Sequence, residues 1–260
     1  MRAVGLHPDV VVVTSRFWQT TCTLVKSGGE AFVIDSPVLP DELELLPAIA
    51  QQADFRVVGC LATHVDWDHV LGRYAFADAP LGVAESSAAR LRNEPGAAQR
   101  ELRDFDEEHY VDRPAPLTIP SPQALPVPGH CGIGERELEL HPTEGHTLDG
   151  MAIRVPWADV LVVGDYVSPV EIPWISESGS ASAYLATLNR LEPLVEAAAH
   201  VVPGHGSPLE GERALAILRE DRSYLEALDA QGADAPLPMA RRTGSQRSIH
   251  AKNVERLSPR

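Results

Sequence analysis

The positions of hydrophobic and polar residues along the chain switch repeatedly between a strand pattern and a helix pattern. A β-branched run at residues 10–13 predicts a strand. Strand-like residues at 20–26, a turn at 27–29 and a returning strand at 31–34 predict a hairpin. From Pro40 to Ala50, apolar residues recur at helical spacing with acidic residues between them. The start of the chain therefore predicts strands followed by a helix.

The same alternation continues to about residue 230 and predicts an α/β protein. Residues 56–62 form a mostly apolar run, as expected for a strand buried on both faces. Further strands are predicted at 79–83, 137–140, 151–155, 160–163 and 201–202, and further helices at 85–91, at 183–199 and from 207 to about 230, where Ser207 and Glu210 have capping-box spacing.

Two regions break this pattern. Prolines cluster between residues 93 and 134, which predicts a loop-rich insertion. Residues 233–260 are rich in arginine and have almost no apolar periodicity. We expect them to form a mobile, basic tail behind a single domain at 1–232, with docking onto an acidic partner as the alternative.

Composition excludes several classes of protein. The formal net charge of −15 opposes nucleic-acid binding, because no basic stripe interrupts the body of the chain. No apolar run approaches the ~20 residues of a membrane span, and the amino terminus has no signal-peptide pattern. Three cysteines without CxxC spacing indicate neither disulfides nor a thiolate zinc site, so we expect a protein of the reducing cytoplasm.

Candidate chemistry begins directly after the predicted strand at 56–62. His64, Asp66, Asp68 and His69 place two imidazoles and two carboxylates within six positions, and divalent metals bind both types of ligand. For this segment alone, a polar loop in which Asp68 caps the next helix is the alternative.

Three later segments present the same kinds of side chain after apolar strands. His146 follows Gly145, Asp165 follows the strand at 160–163, and His205 follows the strand at 201–202. Each of them alone is more often a turn histidine or a capping aspartate. Their shared position after strands predicts one site at one edge of two sheets.

In its order of motifs the chain resembles the metallo-β-lactamase superfamily from about Val10 to Leu228. Residues 64–69 resemble the family's His-x-His-x-Asp-His motif with one change, and residues 145–147, 164–165 and 203–206 match its Gly-His-Thr, Gly-Asp and Pro-Gly-His-Gly motifs. The resemblance implies an αββα sandwich, in which two mixed β-sheets pack face to face with helices outside.

The resemblance also implies a centre with two divalent metal ions at one sheet edge. The implied ligands are His64, Asp66 and His146 for the first ion, Asp68, His69 and His205 for the second ion, and Asp165 as the bridge. Asp35 is implied to support this centre without being a ligand.

Asp66 departs from the family's pattern, because most members carry histidine there. A carboxylate is a harder ligand than an imidazole, so iron and manganese come into consideration beside zinc, the metal we expect first.

The expected function is that of a metal-dependent hydrolase. A metal-bridging hydroxide would attack an ester, thioester, lactone or phosphodiester in a small-molecule substrate, and Asp68 would accept or relay a proton. A di-iron redox protein related to the flavodiiron core and a non-catalytic metal- or ligand-binding member of the fold stay open. No nucleic-acid or membrane partner is expected, and a homodimer stays open.

Three further side chains are predicted to contact the substrate. Tyr166 would donate a hydrogen bond to a substrate oxygen, while Trp67 and Trp174 would form walls of the pocket. Packing is the alternative for all three. Substrate choice is predicted to depend on the insertion at 93–134 and on the loop at 166–179.

Overall fold

Two β-sheets form the centre of the molecule. The computed structural model describes residues 1–257. The strands of the first sheet are β1 (Arg2–His7), β2 (Val10–Thr14), β3 (Thr21–Ser27), β4 (Glu30–Asp35), β5 (Val57–Leu61), β6 (Leu81–Ala84) and β7 (Gln123–Leu125). They pair in chain order, antiparallel from β1 to β4 and parallel from β4 to β7.

The second sheet contains the remaining strands in the reverse of chain order, β13-β12-β11-β10-β9-β8. These are β8 (Gly129–Ile133), β9 (Arg136–Pro142), β10 (Met151–Val155), β11 (Val160–Gly164), β12 (His200–Pro203) and β13 (Leu209–Glu210). Only β11 and β12 are parallel within this sheet.

Seven α-helices accompany the sheets within residues 1–257. They are α1 (Pro40–Gln52), α2 (Gly72–Ala75), α3 (Glu85–Asn93), α4 (Ala97–His109), α5 (Ala181–Glu196), α6 (Gly211–Gln231) and α7 (Gly244–Leu257). None of the helices in this part of the chain is long and apolar enough to cross a membrane.

Alternation along the strands produces the layers. Val12 and Val162 belong to the core between the two sheets, whereas their neighbours Val13 and Leu161 pack toward the helices outside. Helices α1 and α4 cover the first sheet, and α5 and α6 cover the second. The predicted αββα sandwich is therefore confirmed.

Parallel pairing directs several strand ends to one edge of this sandwich. Strands β4 and β5 end there in the first sheet, and β11 and β12 end there in the second. The two sheets are joined at this edge, because the Thr21 amide donates to the Gly204 carbonyl at 2.8 Å and the Met151 amide donates to the Thr63 carbonyl at 2.7 Å.

The insertion at 93–134 differs from its prediction as a loop-rich segment. Its first half contains helix α4, which buries Ala98, Leu102 and Phe105 at helical spacing. Apart from Pro95, which lies just before α4, the prolines of this segment all follow the helix, so a window that includes them conceals the helical pattern. Strands β7 and β8 complete the segment, one in each sheet.

The predicted mobile tail is also different, because residues 244–257 form α7 and pack against the domain. Arg241, Gln246 and Asn253 are all buried and bond to the loop that follows β11. These contacts are polar, and polar contacts leave no apolar stripe in the sequence. Residues 258–260 of the predicted tail lie outside the described residues.

Helix α6 begins at Gly211, four residues after Ser207, where the capping-box pattern predicts its start. Leu209 and Glu210 pair with β12 as the short strand β13, with Val201 opposite Leu209. Their backbone groups are therefore committed to the sheet, and α6 starts at Gly211.

Candidate metal centre

Seven predicted ligands meet at the edge where β5, β11 and β12 end. Four of them lie in the segment after β5, which turns through a short 3₁₀ helix at Trp67–His69. The remaining three are His146 between β9 and β10, Asp165 directly after β11, and His205 shortly after β12. We call these seven residues the metal centre.

Asp165 lies in the middle of the metal centre. Its Oδ1 is 3.1 Å from His69 Nε2, and its Oδ2 is 3.4 Å from His146 Nε2 and 3.5 Å from His205 Nε2. Its Oδ2 is also 4.0 Å from His64 Nε2. One carboxylate that faces all four imidazoles can bridge two cations.

The other carboxylates divide the metal centre into two clusters. Asp66 Oδ2 is 3.5 Å from His64 Nε2 and 3.4 Å from His146 Nε2. Asp68 Oδ2 is 3.9 Å from His69 Nε2 and 3.4 Å from His205 Nε2. Within each cluster the ligand atoms all lie within 4.8 Å of one another. The structure thus brings together both predicted ligand sets.

Unpaired polar atoms show that the residues fit a pair of metal ions. The Nε2 atoms of His64, His69 and His146 and Oδ1 of Asp165 are buried without a hydrogen-bond partner. Buried nitrogen and oxygen atoms in this state cost free energy unless a cation or another partner binds them. Four imidazoles and three carboxylates are a suitable donor set for zinc, iron or manganese.

Backbone carbonyls orient two of the imidazoles. His146 Nδ1 donates to the Trp174 carbonyl at 2.8 Å, and His205 Nδ1 donates to the Trp18 carbonyl at 3.2 Å. A proton on Nδ1 leaves the Nε2 lone pair directed at the metal centre. The ring of each tryptophan lies beside the imidazole that its carbonyl orients. Trp174 is 38% exposed and Trp18 is 46% exposed.

Asp35 supports the other two imidazoles from the end of β4. Its Oδ1 accepts from the Thr63 amide at 2.8 Å, and its Oδ2 accepts from Thr63 Oγ1 at 2.9 Å. The Thr63 hydroxyl lies 3.2 Å from His64 Nδ1, and Asp35 Oδ2 lies 3.1 Å from His69 Nδ1. Asp35 has a φ of 59°, a strained conformation for this residue type that the surrounding contacts stabilise.

Glycines allow the close approach of backbone at two ligands. Gly145 has a φ of 131°, and a Cβ there would lie 2.3 Å from the backbone of Tyr184. A Cβ on Gly204 would lie 2.2 Å from Asp165 Oδ1. The loops of His146 and His205 therefore both require glycine directly before the ligand.

Without metal, the charges of the metal centre shift one another's pKa values. Burial alone would lower the pKa values of His146 and His205, but Asp66 and Asp165 raise the pKa of His146 to about 9, and Glu171 and Asp165 raise that of His205 to about 10. Burial likewise opposes ionisation of Asp66 and Asp165, yet the facing imidazoles hold both pKa values well below the ordinary range.

Glu171 is a carboxylate near the metal centre that the sequence did not predict. A carboxylate oxygen of Glu171 lies within 4.8 Å of the ligand atoms of Asp165 and His205. Its amide donates to Ser168 Oγ at 3.0 Å, and its carbonyl accepts from Arg241 Nη1 at 2.7 Å. Glu171 lies well inside the loop after β11 rather than directly after the strand, and it belongs to no motif, so the sequence contains no signal for it.

The three predicted substrate contacts have different surroundings. Tyr166 is buried; its hydroxyl accepts from the His146 amide at 3.0 Å and lies 3.3 Å from the Thr143 carbonyl, so it is not free for a substrate oxygen. Trp67 is also buried and packs against Phe105. Trp174 alone of the three lines a cleft, of about 1220 Å³, that reaches Asp66.

A family of known proteins matches the chain over most of its length. The model of the metallo-beta-lactamase superfamily matches residues 15–205. No curated protein sequence matches the chain. The chain belongs to the metallo-beta-lactamase superfamily, and the resemblance inferred from its motifs is confirmed.

Solved structures share the fold at low sequence identity. DIM-1 metallo-beta-lactamase is 19% identical, with a TM-score of 0.61 over 86% of this chain and 96% of that one. A metallo-beta-lactamase family protein from Thermus thermophilus is 19% identical, with a TM-score of 0.66 over 97% and 93%. The sec-alkylsulfatase Pisa1 from Pseudomonas sp. is 15% identical, with a TM-score of 0.72 over 98% of this chain and 49% of its own.

Proposed function

We propose that this chain is a binuclear metal-dependent hydrolase that cleaves a small ester, thioester, lactone or phosphodiester-type substrate. The observation that carries the proposal is the metal centre, in which three Nε2 atoms and one carboxylate oxygen are buried without a hydrogen-bond partner and one ligand, Asp66, lines a cleft. Two divalent ions, when bound there, would lower the pKa of water toward about 7 and polarise a substrate oxygen.

Asp68 is the residue to which we assign proton transfer. Its Oδ2 faces His205, and its carbonyl accepts from Ser36 Oγ at 3.0 Å, which fixes the turn that presents the carboxylate. Because Oδ2 is directed at the histidines of its own cluster, the carboxylate can use its other oxygen to accept the proton released by an attacking water.

The cleft beside Asp66 supports a small molecule as the substrate. Trp174 contributes an apolar face, and Arg90 and Lys252 contribute positive charge among acidic neighbours such as Glu101. The overall charge of −15 opposes a nucleic-acid substrate. Because the fold is shared with a β-lactamase and a sec-alkylsulfatase, β-lactams and sulfate esters belong among the compounds to be tested.

Elemental analysis of the purified full chain, followed by a hydrolysis panel, tests this proposal. We expect two equivalents of zinc, iron or manganese and turnover of at least one ester, thioester, lactone, sulfate ester or phosphodiester. The double variant His146→Ala/Asp165→Ala should lose both bound metal and turnover, because it removes the bridge and one ligand. The matched control is Asp78→Asn, an exposed aspartate on a distant turn, which should retain both.

Two results would contradict the hydrolase. Full activity in the double variant would show that the metal centre does not perform the reaction. Two bound metals without turnover of any compound in the panel would favour the non-catalytic alternative.

A redox function is the second candidate, and one observation favours it. Asp66, Asp68, Asp165 and Glu171 together supply four carboxylates around the imidazoles, and hard oxygen donors favour iron over zinc. Two equivalents of iron, with oxygen consumption when an external reductant is supplied, would support this candidate. Two equivalents of zinc would exclude it.

A further inference from the structure

The two oxygens of Asp66 have different partners. Oδ2 faces the imidazoles of His64 and His146 at 3.5 and 3.4 Å. Oδ1 points away from them and accepts from Arg90 Nη1 at 2.7 Å. The carboxylate is thus divided between one oxygen for the metal centre and one oxygen for a guanidinium.

Arg90 is itself held from behind. Its Nη1 also donates to Asp149 Oδ1 at 2.9 Å, and Asp149 Oδ2 accepts from Ser87 Oγ at 2.6 Å. Ser87 and Arg90 are three residues apart on one face of α3, and both Ser87 and Asp149 are fully buried. The guanidinium therefore reaches Asp66 in a fixed position rather than as a mobile surface charge.

The charges explain what this arrangement does for a metal ligand. A free carboxylate can bind a cation with one oxygen or with both, and it carries a full negative charge into a buried site that already holds Asp165. A charge-assisted hydrogen bond to Oδ1 occupies that oxygen and offsets the added charge, so Oδ2 is left as the single donor.

We propose that Arg90 is a positioning residue that makes Asp66 a one-oxygen ligand of the first metal ion. The proposal rests on the metal centre of the proposed function. It makes one distinctive prediction: Arg90 should affect the affinity for the first ion only while residue 66 is aspartate. An imidazole at position 66 has no second acceptor for the guanidinium.

Four forms of the full chain test this prediction: wild type, Arg90→Gln, Asp66→His and the double variant. Each is titrated with Co²⁺, whose visible absorption reports the number and type of ligands, and the bound equivalents are counted. We expect Arg90→Gln to weaken the first Co²⁺ by about 10- to 100-fold, as loss of an outer partner of a metal ligand commonly does, and to change its absorption band. In the Asp66→His background the same substitution should leave the first Co²⁺ affinity unchanged.

Two further variants separate positioning from simple stabilisation of the fold. Arg90→Lys keeps the positive charge and should recover part of the lost affinity. Arg92→Gln makes the same substitution at an exposed arginine of α3, so the first Co²⁺ should bind as in wild type. These variants keep the test decisive if Arg90→Gln folds poorly.

The outcomes also distinguish this proposal from the proposed function. Wild-type affinity and absorption in Arg90→Gln would overturn the role of Arg90 while two bound Co²⁺ ions in wild type still supported the metal centre. Equal losses on the wild-type and Asp66→His backgrounds would likewise overturn it and assign Arg90 to holding α3 against the loop of Asp149. A wild-type chain that binds no Co²⁺ would overturn both proposals.

Discussion

Replacing Asn253 by alanine tests whether α7 builds the loop beside the metal centre. Asn253 is 0% exposed, and its side-chain amide donates to the Pro173 carbonyl at 2.7 Å while its oxygen accepts from the Ile175 amide at 2.9 Å. These two backbone groups flank Trp174, whose carbonyl orients His146. Asn253 thus links the C-terminal helix to a predicted metal ligand.

The cost of this substitution follows from the groups that lose their partner. A buried N–H or C=O left unpaired costs roughly 1–3 kcal/mol, so two such groups give about 3 kcal/mol after partial relaxation. In a chain of this length about 1 kcal/mol corresponds to a change in Tm of roughly 2–4 °C. We therefore expect the Tm of Asn253→Ala to fall by about 6–12 °C.

Urea unfolding and thermal melting, followed by circular dichroism and tryptophan emission, measure the effect. The control is Asn189→Ala, an exposed residue on α5 with the same change of side chain. Bound metal is counted in both variants, and we expect a loss only in Asn253→Ala. If its free energy of unfolding stayed within about 0.5 kcal/mol of wild type, as for an ordinary surface substitution, the docking of α7 described above would be refuted.

Three other predictions concern the metal centre itself. In the metal-free protein, His146 and His205 have pKa values of about 9 and about 10, so both are protonated at neutral pH and must release protons when metal binds. Calorimetric titration in buffers of different ionisation enthalpy should detect this release, with metal affinity rising up to about pH 9–10; uptake without released protons would refute it. Because these folded-state pKa values lie above the ordinary 6.5, they stabilise the metal-free fold most below pH 6.5, and this stabilisation should be lost as the pH rises through 9 and 10 in melting experiments. Gly204→Ala should bind little metal, because its Cβ would meet Asp165 Oδ1, whereas Gly72→Ala, with no atom nearer than 3.6 Å, should bind metal like wild type.

The fold was predictable where the chain repeats a simple pattern. The α/β class follows from apolar runs of strand length, because a strand such as β11, Val160–Gly164, is buried on both faces and has a continuous hydrophobic sequence. The αββα sandwich itself is implied by the resemblance to the superfamily. Helix α4 was missed because prolines follow it closely. Helix α7 is not predicted, because its buried residues are polar and a search for periodic hydrophobic residues does not detect them.

The sequence by itself determined which side chains could form the metal centre, because each ligand lies in a short segment just beyond a strand and parallel strands end at a common edge. Only the tertiary structure decided what surrounds those ligands. Ser87 and Asp149 are 62 residues apart, and Asn253 and Ile175 are 78 residues apart. No periodic pattern in the sequence predicts hydrogen bonds between residues so far apart. Such contacts place Arg90 beside Asp66, Glu171 beside His205 and α7 against the loop of Trp174. They depend on packing, because packing decides which distant polar groups become buried together and must form hydrogen bonds with one another.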